Sequence, residues 1–177
     1  MHGQLMAQLI GFVALIVSLW VFQLNKRTTM LTAQLWGNLL FAIHFALLGA
    51  YTGAALNLVG AGRSYSFNKF RKKRWSGAIF WGFIGIFVAA DIATWQGIIS
   101  LLPLIGMISG AFAYWQPTAK SIRVLSLIAP PAWFIYNAVV SSYAGMATEV
   151  ILMSSILIGM YRLDKQVKRV AVRANGV

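Results

Sequence analysis

Arg63, His44, Asp91 and Glu149 all fall inside long apolar stretches of this chain. An ionisable side chain in such surroundings is costly, so each needs a partner, a wet cavity or a function. Arg63 offers a fork of N–H donors suited to a carboxylate, a phosphate or a carbonyl. Glu149 can accept from a donor or carry a proton, and His44 can relay one. Each also has a structural alternative. Arg63 can pair with Glu149 or snorkel toward headgroups, Glu149 can be neutralised by protonation, and His44 can be a hydrogen-bonded packing residue. Trp36, Trp81 and Trp133 can stack on a planar ligand or simply face lipid.

Other chemistries lack parts. The chain has no cysteine, histidine only at His2 and His44, and acids only at Asp91, Glu149 and Asp164. That leaves no metal-ligand cluster, no paired-carboxylate site and no thiol nucleophile. Gly60-Ala61-Gly62 lies within an apolar run rather than at a strand-to-helix turn that cradles phosphate. Neither an enzyme nor a bound cofactor is expected.

The elements that carry these residues are apolar runs at about Leu5 to Leu24, Leu31 to Ala50, Tyr51 to Phe70, Ser76 to Ile92, Gly97 to Trp115, Leu125 to Ser141 and Tyr143 to Tyr161. Only 10% of the 177 residues are charged and the mean hydropathy is +0.73, against about 25% charged residues in an ordinary soluble domain. A membrane span takes roughly 20 apolar residues. The expected fold is therefore an all-α membrane protein of about seven transmembrane helices, with no soluble domain. Met1 to Gln4 carries no basic segment, so the first run reads as a span rather than a cleaved signal peptide.

The net charge of +12 would suggest nucleic acid in a soluble protein, but its placement points to topology. With the amino terminus outside, Lys26 and Arg27, the Lys69 to Arg74 cluster, Lys120 with Arg123, and the tail from Arg162 all fall on the cytoplasmic side. The outer links at Ala50/Tyr51, Thr94 to Gln96 and Ser142 to Gly145 hold no Lys or Arg. This is the positive-inside pattern, and it requires the third run to cross although Arg63 interrupts it. Anionic lipid is the other partner the basic loops fit, and self-assembly is left open.

An internal repeat accompanies this topology. Leu9, Ile10, Gly11 and Trp20 align with Leu104, Ile105, Gly106 and Trp115. Ile43, Ala46, Tyr51, Gly53 and Ala55 then align with Ile135, Ala138, Tyr143, Gly145 and Ala147. Residues 1–75 and 96–163 would thus form two parallel three-helix units, residues 76–95 a linker helix that makes them parallel, and residues 164–177 a basic tail. In this register Asn57 matches Glu149, each six residues past a tyrosine, and His44 matches Tyr136, the neighbour of Asn137. Arg63 lies six residues past Asn57, roughly 9 Å further along a helix. Gly53, Asn57, Gly60, Ala61, Ser64 and Asn68 form a small and polar stripe that faces protein or water.

Two parallel three-helix units joined by a linker helix resemble the SWEET and PQ-loop architecture, which PnuC-type vitamin transporters share. The segment Trp36-Gly37-Asn38, His44-Phe45, Gly49, Tyr51-Thr52-Gly53, Asn57 and Arg63 resembles the YgjV-like family of bacterial inner-membrane proteins. The YgjV-like resemblance implies a multi-pass protein of the bacterial inner membrane and little about its function, and the SWEET-like architecture implies that a small polar solute moves between the two units. It also implies substrate contact by a polar pair on the third and seventh helices, positions held here by Asn57 and Glu149. Two departures stand out: Phe22-Gln23 and Gln116-Pro117 replace the Pro-Gln dipeptide, and all four prolines lie in the second unit. The expected solute-facing set is Asn57, Glu149, Arg63, His44, Trp36, Asn38, Tyr136 and Asn137. The competing expectation is a non-transporting assembly or regulatory protein whose buried polar groups specify helix packing.

Overall fold

The computed structural model describes residues 2–164, and those residues are helical throughout apart from short links. The helices are α1 (His2–Gln23), α2 (Arg27–Leu47), α3 (Tyr51–Phe70), α4 (Ser76–Ala93), α5 (Leu101–Trp115), α6 (Ala119–Ser126), α7 (Ala129–Val139) and α8 (Tyr143–Gly159). A 3-10 turn, Ile98–Ser100, leads into α5, and a π-helical turn, Met160–Asp164, ends the described chain. The basic tail beyond Asp164 lies outside the described residues. Five helices are long and apolar enough to cross a membrane, and six if the α6–α7 pair counts as one span. At 20 residues α3 is long enough. Its Asn57, Arg63, Ser64, Ser66, Asn68 and Lys69 lower its apolarity.

The α6–α7 pair bends by 47°. The sixth apolar run, expected to be continuous from Leu125 to Ser141, is thus broken at Leu127 and Ile128. Pro130 and Pro131 supply the reason: neither has an N–H to continue the ladder back to Ser126 and Leu127. The chain there tightens to short-range bonds, Leu127 N–H to Val124 O and Ile128 N–H to Leu125 O.

Packing is sequential. α1 packs on α2, α2 on α3, α3 on α5, α5 on α7, α7 on α8, and α8 returns to α1. These six helices close a ring, and α4 lies outside it against α3 and α5. α4 accordingly buries little, chiefly Phe80, Phe87 and Asp91 along one stripe.

Two links share one construction. Gly49, two residues past α2, has φ of 73°, and Ser141, two residues past α7, has φ of 55°. Ala50 N–H bonds Phe45 O at 2.9 Å and Gly49 N–H bonds Ala46 O at 3.1 Å; Ser142 N–H bonds Asn137 O at 2.8 Å and Ser141 N–H bonds Ala138 O at 3.4 Å. This is the left-handed helix terminator that satisfies the last carbonyls. A glutamine then clasps each link. Gln96 Nε2 donates to Gly49 O at 3.0 Å while its Oε1 accepts from Thr52 N–H at 3.3 Å. Gln8 Nε2 donates to Ser141 O at 3.2 Å while its Oε1 accepts from Ala144 N–H at 3.1 Å.

Arginines tie the opposite ends. Arg27 donates to Tyr114 O at 3.0 Å, Gln116 O at 2.8 Å and Phe67 O at 3.2 Å. Arg71 donates to Trp115 O at 3.0 Å, and Arg123, expected in a solvated loop, is buried and reaches Leu24 O at 3.2 Å. Cations at helix carboxyl ends meet both the open carbonyls and the negative end of the dipole.

Candidate functional site

Within the helical ring lies a partly open cavity of about 90 Å³. Since a water molecule occupies roughly 30 Å³ of liquid, the cavity holds a few waters or a compact solute. Asn38, Asn57, Arg63, Asn137 and Glu149 all line it. They come from α2, α3, α7 and α8, so the ring brings together residues up to 111 positions apart.

Arg63 is 1% exposed. Its guanidinium carbon stands 5.0 Å from the centre of the Tyr114 ring and 5.7 Å from that of Phe87. Nη1 makes a long contact of 3.4 Å with Met107 O, and Nε has no partner. Glu149 faces the same cavity, yet among the described residues its carboxylate makes neither a hydrogen bond nor an ion pair, with Arg63 or with any other group. Two ionisable side chains of opposite kind therefore line one cavity without a direct contact between them.

A hydrogen-bond chain supports the arginine side. The Tyr114 hydroxyl donates to Gln34 Oε1 at 2.9 Å, and Gln34 Nε2 donates to Asn38 Oδ1 at 3.1 Å. The chain ends at Asn38 Nδ2, which is buried without a partner. On α7 Asn137 Oδ1 is likewise buried and unpartnered. Asn57 spends its donor on Gly53 O of its own helix at 2.9 Å. Phe45 and Trp133 stack with ring centres 5.8 Å apart and form an aromatic wall.

The remaining expected residues lie elsewhere. His44 is fully buried between Ala7 O, at 2.7 Å from Nδ1, and Ser142 Oγ, at 2.7 Å from Nε2. Tyr136 packs on Phe45 and Trp133, and its hydroxyl accepts from Gly53 N–H at 3.0 Å. Neither lines the cavity. Trp36 is 59% exposed and Trp81 64%, because both point outward from the bundle. Of the three tryptophans considered as cavity aromatics, Trp133 alone faces inward. Asp91 is buried on α4 with Oδ1 unpartnered, outside the ring and away from the cavity. Sequence reasoning passed over Gln34 and Tyr114. Gln34 had a signal, a polar side chain one helical turn before Asn38 in an apolar run, whereas Tyr114 is unremarkable without its neighbours.

Apolar spanning helices around a polar, incompletely paired interior define an integral membrane protein. A family model described as a bacterial inner membrane protein, Imp-YgjV, matches residues 5–167, and the chain belongs to that family. It is thus a multi-pass protein of the bacterial inner membrane. No curated protein and no solved structure matches it.

Proposed function

We propose that this protein carries a small polar solute across the inner membrane by alternating access between two three-helix units. The first unit is α1 to α3; the second is α5, the bent α6–α7 pair and α8; α4 is the linker. Seven spans result, with the amino terminus outside. The observation that carries the reading is that Arg63 and Glu149, a basic and an acidic side chain, line one cavity without pairing with each other. A residue pair needed only for packing would be expected to neutralise itself, because an unpaired buried charge is strongly destabilising.

Other features support the same arrangement. The helix terminators at Gly49 and Ser141 stand 92 positions apart, the spacing of the repeat, and their glutamine clasps reach from one unit into the other. Both clasps lie at the end free of Lys and Arg, while Arg27, Arg71 and Arg123 cap helices at the basic end. The break at Pro130 borders the cavity, which gives the second unit a place to flex.

Uptake of labelled nucleosides, vitamins, sugars, amino acids and organic anions into proteoliposomes tests the function. Saturable uptake lost in Glu149→Gln, with the fold intact, is the expected result; no uptake of any class, with Glu149→Gln merely less stable, would move the assignment to a packing or regulatory role. Since the chain lacks cysteine, single replacements test the topology directly. Trp95→Cys should react with an impermeant thiol reagent in intact cells, and Lys73→Cys only after permeabilisation.

A further inference from the structure

The fully buried polar atoms that lack a partner on the cavity-lining helices differ in kind from one side to the other. On α2 and α3 they are donors, Asn38 Nδ2 and Arg63 Nε. On α7 the atom is an acceptor, Asn137 Oδ1, and the Glu149 carboxyl group of α8 lines the same cavity. The Ser126 hydroxyl at the α6–α7 break can donate or accept, so it adds no polarity. Asn38, Arg63 and Asn137 are 4%, 1% and 1% exposed, so bulk water does not satisfy them.

Both walls are built by close packing. A Cβ on Gly60 would stand 2.8 Å from Asn38 Nδ2, and one on Gly110 would stand 3.3 Å from Arg63 Nη1. A Cβ on Gly145 would stand 2.3 Å from Asn137 Oδ1. Glycine at these points lets the helices press the donors into one wall and the acceptor into the other.

Charge balance narrows the occupant. With Arg63 cationic and Glu149 anionic the cavity is neutral, and a net charge brought into it would lie in low dielectric without a counter-ion. A neutral molecule with separated charges adds no net charge and satisfies both walls. We propose that the cavity takes a small zwitterion, an organic acid that also bears an ammonium group. Its carboxylate lies toward Arg63 and Asn38, and its ammonium toward Glu149 and Asn137. Phe45 and Trp133 flank the carbon chain, and the volume suits a solute of roughly the size of a small amino acid. This inference rests on the cavity being the solute site of the transport reading.

Binding to the purified wild-type protein tests it by calorimetry and thermal shift. The probes are glycine, β-alanine and γ-aminobutyrate, set against propionate, propylamine and propionamide. At least one zwitterion should bind, with each half-molecule at least about tenfold weaker, because a site built for both ends leaves a buried group unpaired when one end is missing. In Glu149→Gln the advantage of the zwitterion over propionate should disappear. Propionate or propylamine binding the wild type as tightly as every zwitterion would overturn the proposal, as would a folded wild type that binds none of the three zwitterions. Proteoliposome flux separates the two readings. A zwitterion that binds but never crosses sinks alternating access alone, whereas flux of only a singly charged or uncharged solute sinks the zwitterion alone.

Discussion

His44 and Tyr136, 92 positions apart in the chain, make reciprocal ties across the molecule. His44 on α2 bonds Ser142 Oγ, the amino-terminal cap of α8, at 2.7 Å; Tyr136 on α7 accepts from Gly53 N–H in the first turn of α3 at 3.0 Å. α2 thereby holds the entry of α8, and α7 the entry of α3. Both residues have a structural partner in place, which moves them from solute candidates to fasteners. Tyr136→Phe leaves the Gly53 N–H without its acceptor, and an unsatisfied buried donor costs about 1–3 kcal/mol. Unfolding in detergent should show the loss, and solute affinity should change little. A Tyr136→Phe protein as stable as wild type, with weakened binding, would return Tyr136 to the site.

The left-handed residues at the two links predict opposite outcomes for similar substitutions. Gly49 adopts φ of 73° at no steric cost, whereas Ser141 at 55° bears a Cβ in a region that costs a side chain roughly 1–2 kcal/mol. Nothing lies within 4 Å of a Cβ added at Gly49, so Gly49→Ala tests backbone conformation alone. It should lower the melting temperature. Ser141→Gly should raise it or leave it level, since relieved strain is offset in part by the greater freedom of glycine in the unfolded chain. Equal effects of the same sign would mean that the two links are not equivalent.

Much of this architecture was legible because bilayer physics writes on sequence directly. Apolar length marked the helices, and the paired Tyr-x-Gly-x-Ala at Tyr51 and Tyr143 marks the two helix entries that Gln96 and Gln8 clasp. Asn38, Asn57, Arg63, Asn137 and Glu149 stood out as polar residues in apolar runs and do share a cavity. Side-chain direction was not legible. Trp36 and Asn38 are two residues apart, yet one faces outward and the other inward, a difference set by the packing of α2 against its neighbours. The clasps were hidden as well, because Gln8 lies within α1 and Gln96 in the loop before α5, so the repeat register does not align them. Arg27 and Arg123 looked like topological charges, and their helix-capping role emerges only from the third dimension.

Gly106 sets the position of the aromatic wall. An added Cβ would stand 2.2 Å from Trp133 Nε1, so Gly106→Ala forces the indole to move or α5 to separate from α7. Overpacking of this kind costs about 1–3 kcal/mol. Since Trp133 lines the cavity, the same change should weaken solute binding more than it weakens the fold. Trp133→Ala removes the clashing ring, so Gly106→Ala should cost less in that background than in the wild type. If the single variant melts like wild type and binds normally, α5 and α7 are not in close contact at this point.

Arg63 and Glu149 provide the most direct separation of transport from packing. Removing the carboxylate in Glu149→Gln breaks no hydrogen bond among the described residues, so stability should hold or rise. Arg63→Met gives up the contacts with the Tyr114 and Phe87 rings, worth about 0.5–2 kcal/mol when desolvated, but also removes a buried cation that has no ion pair, so its stability should stay within about 2 kcal/mol of the wild type. With no ion pair between them, the double variant should be additive within about 0.5 kcal/mol. Reversible unfolding in mixed micelles measures that sum, and proteoliposome uptake of whichever solute the wild type moves measures the function. Additive stability with flux abolished in both single variants assigns the charges to the solute. A coupling well above 1 kcal/mol, with the double variant recovering stability, would mean that they pair in the membrane and serve the packing of α3 against α8.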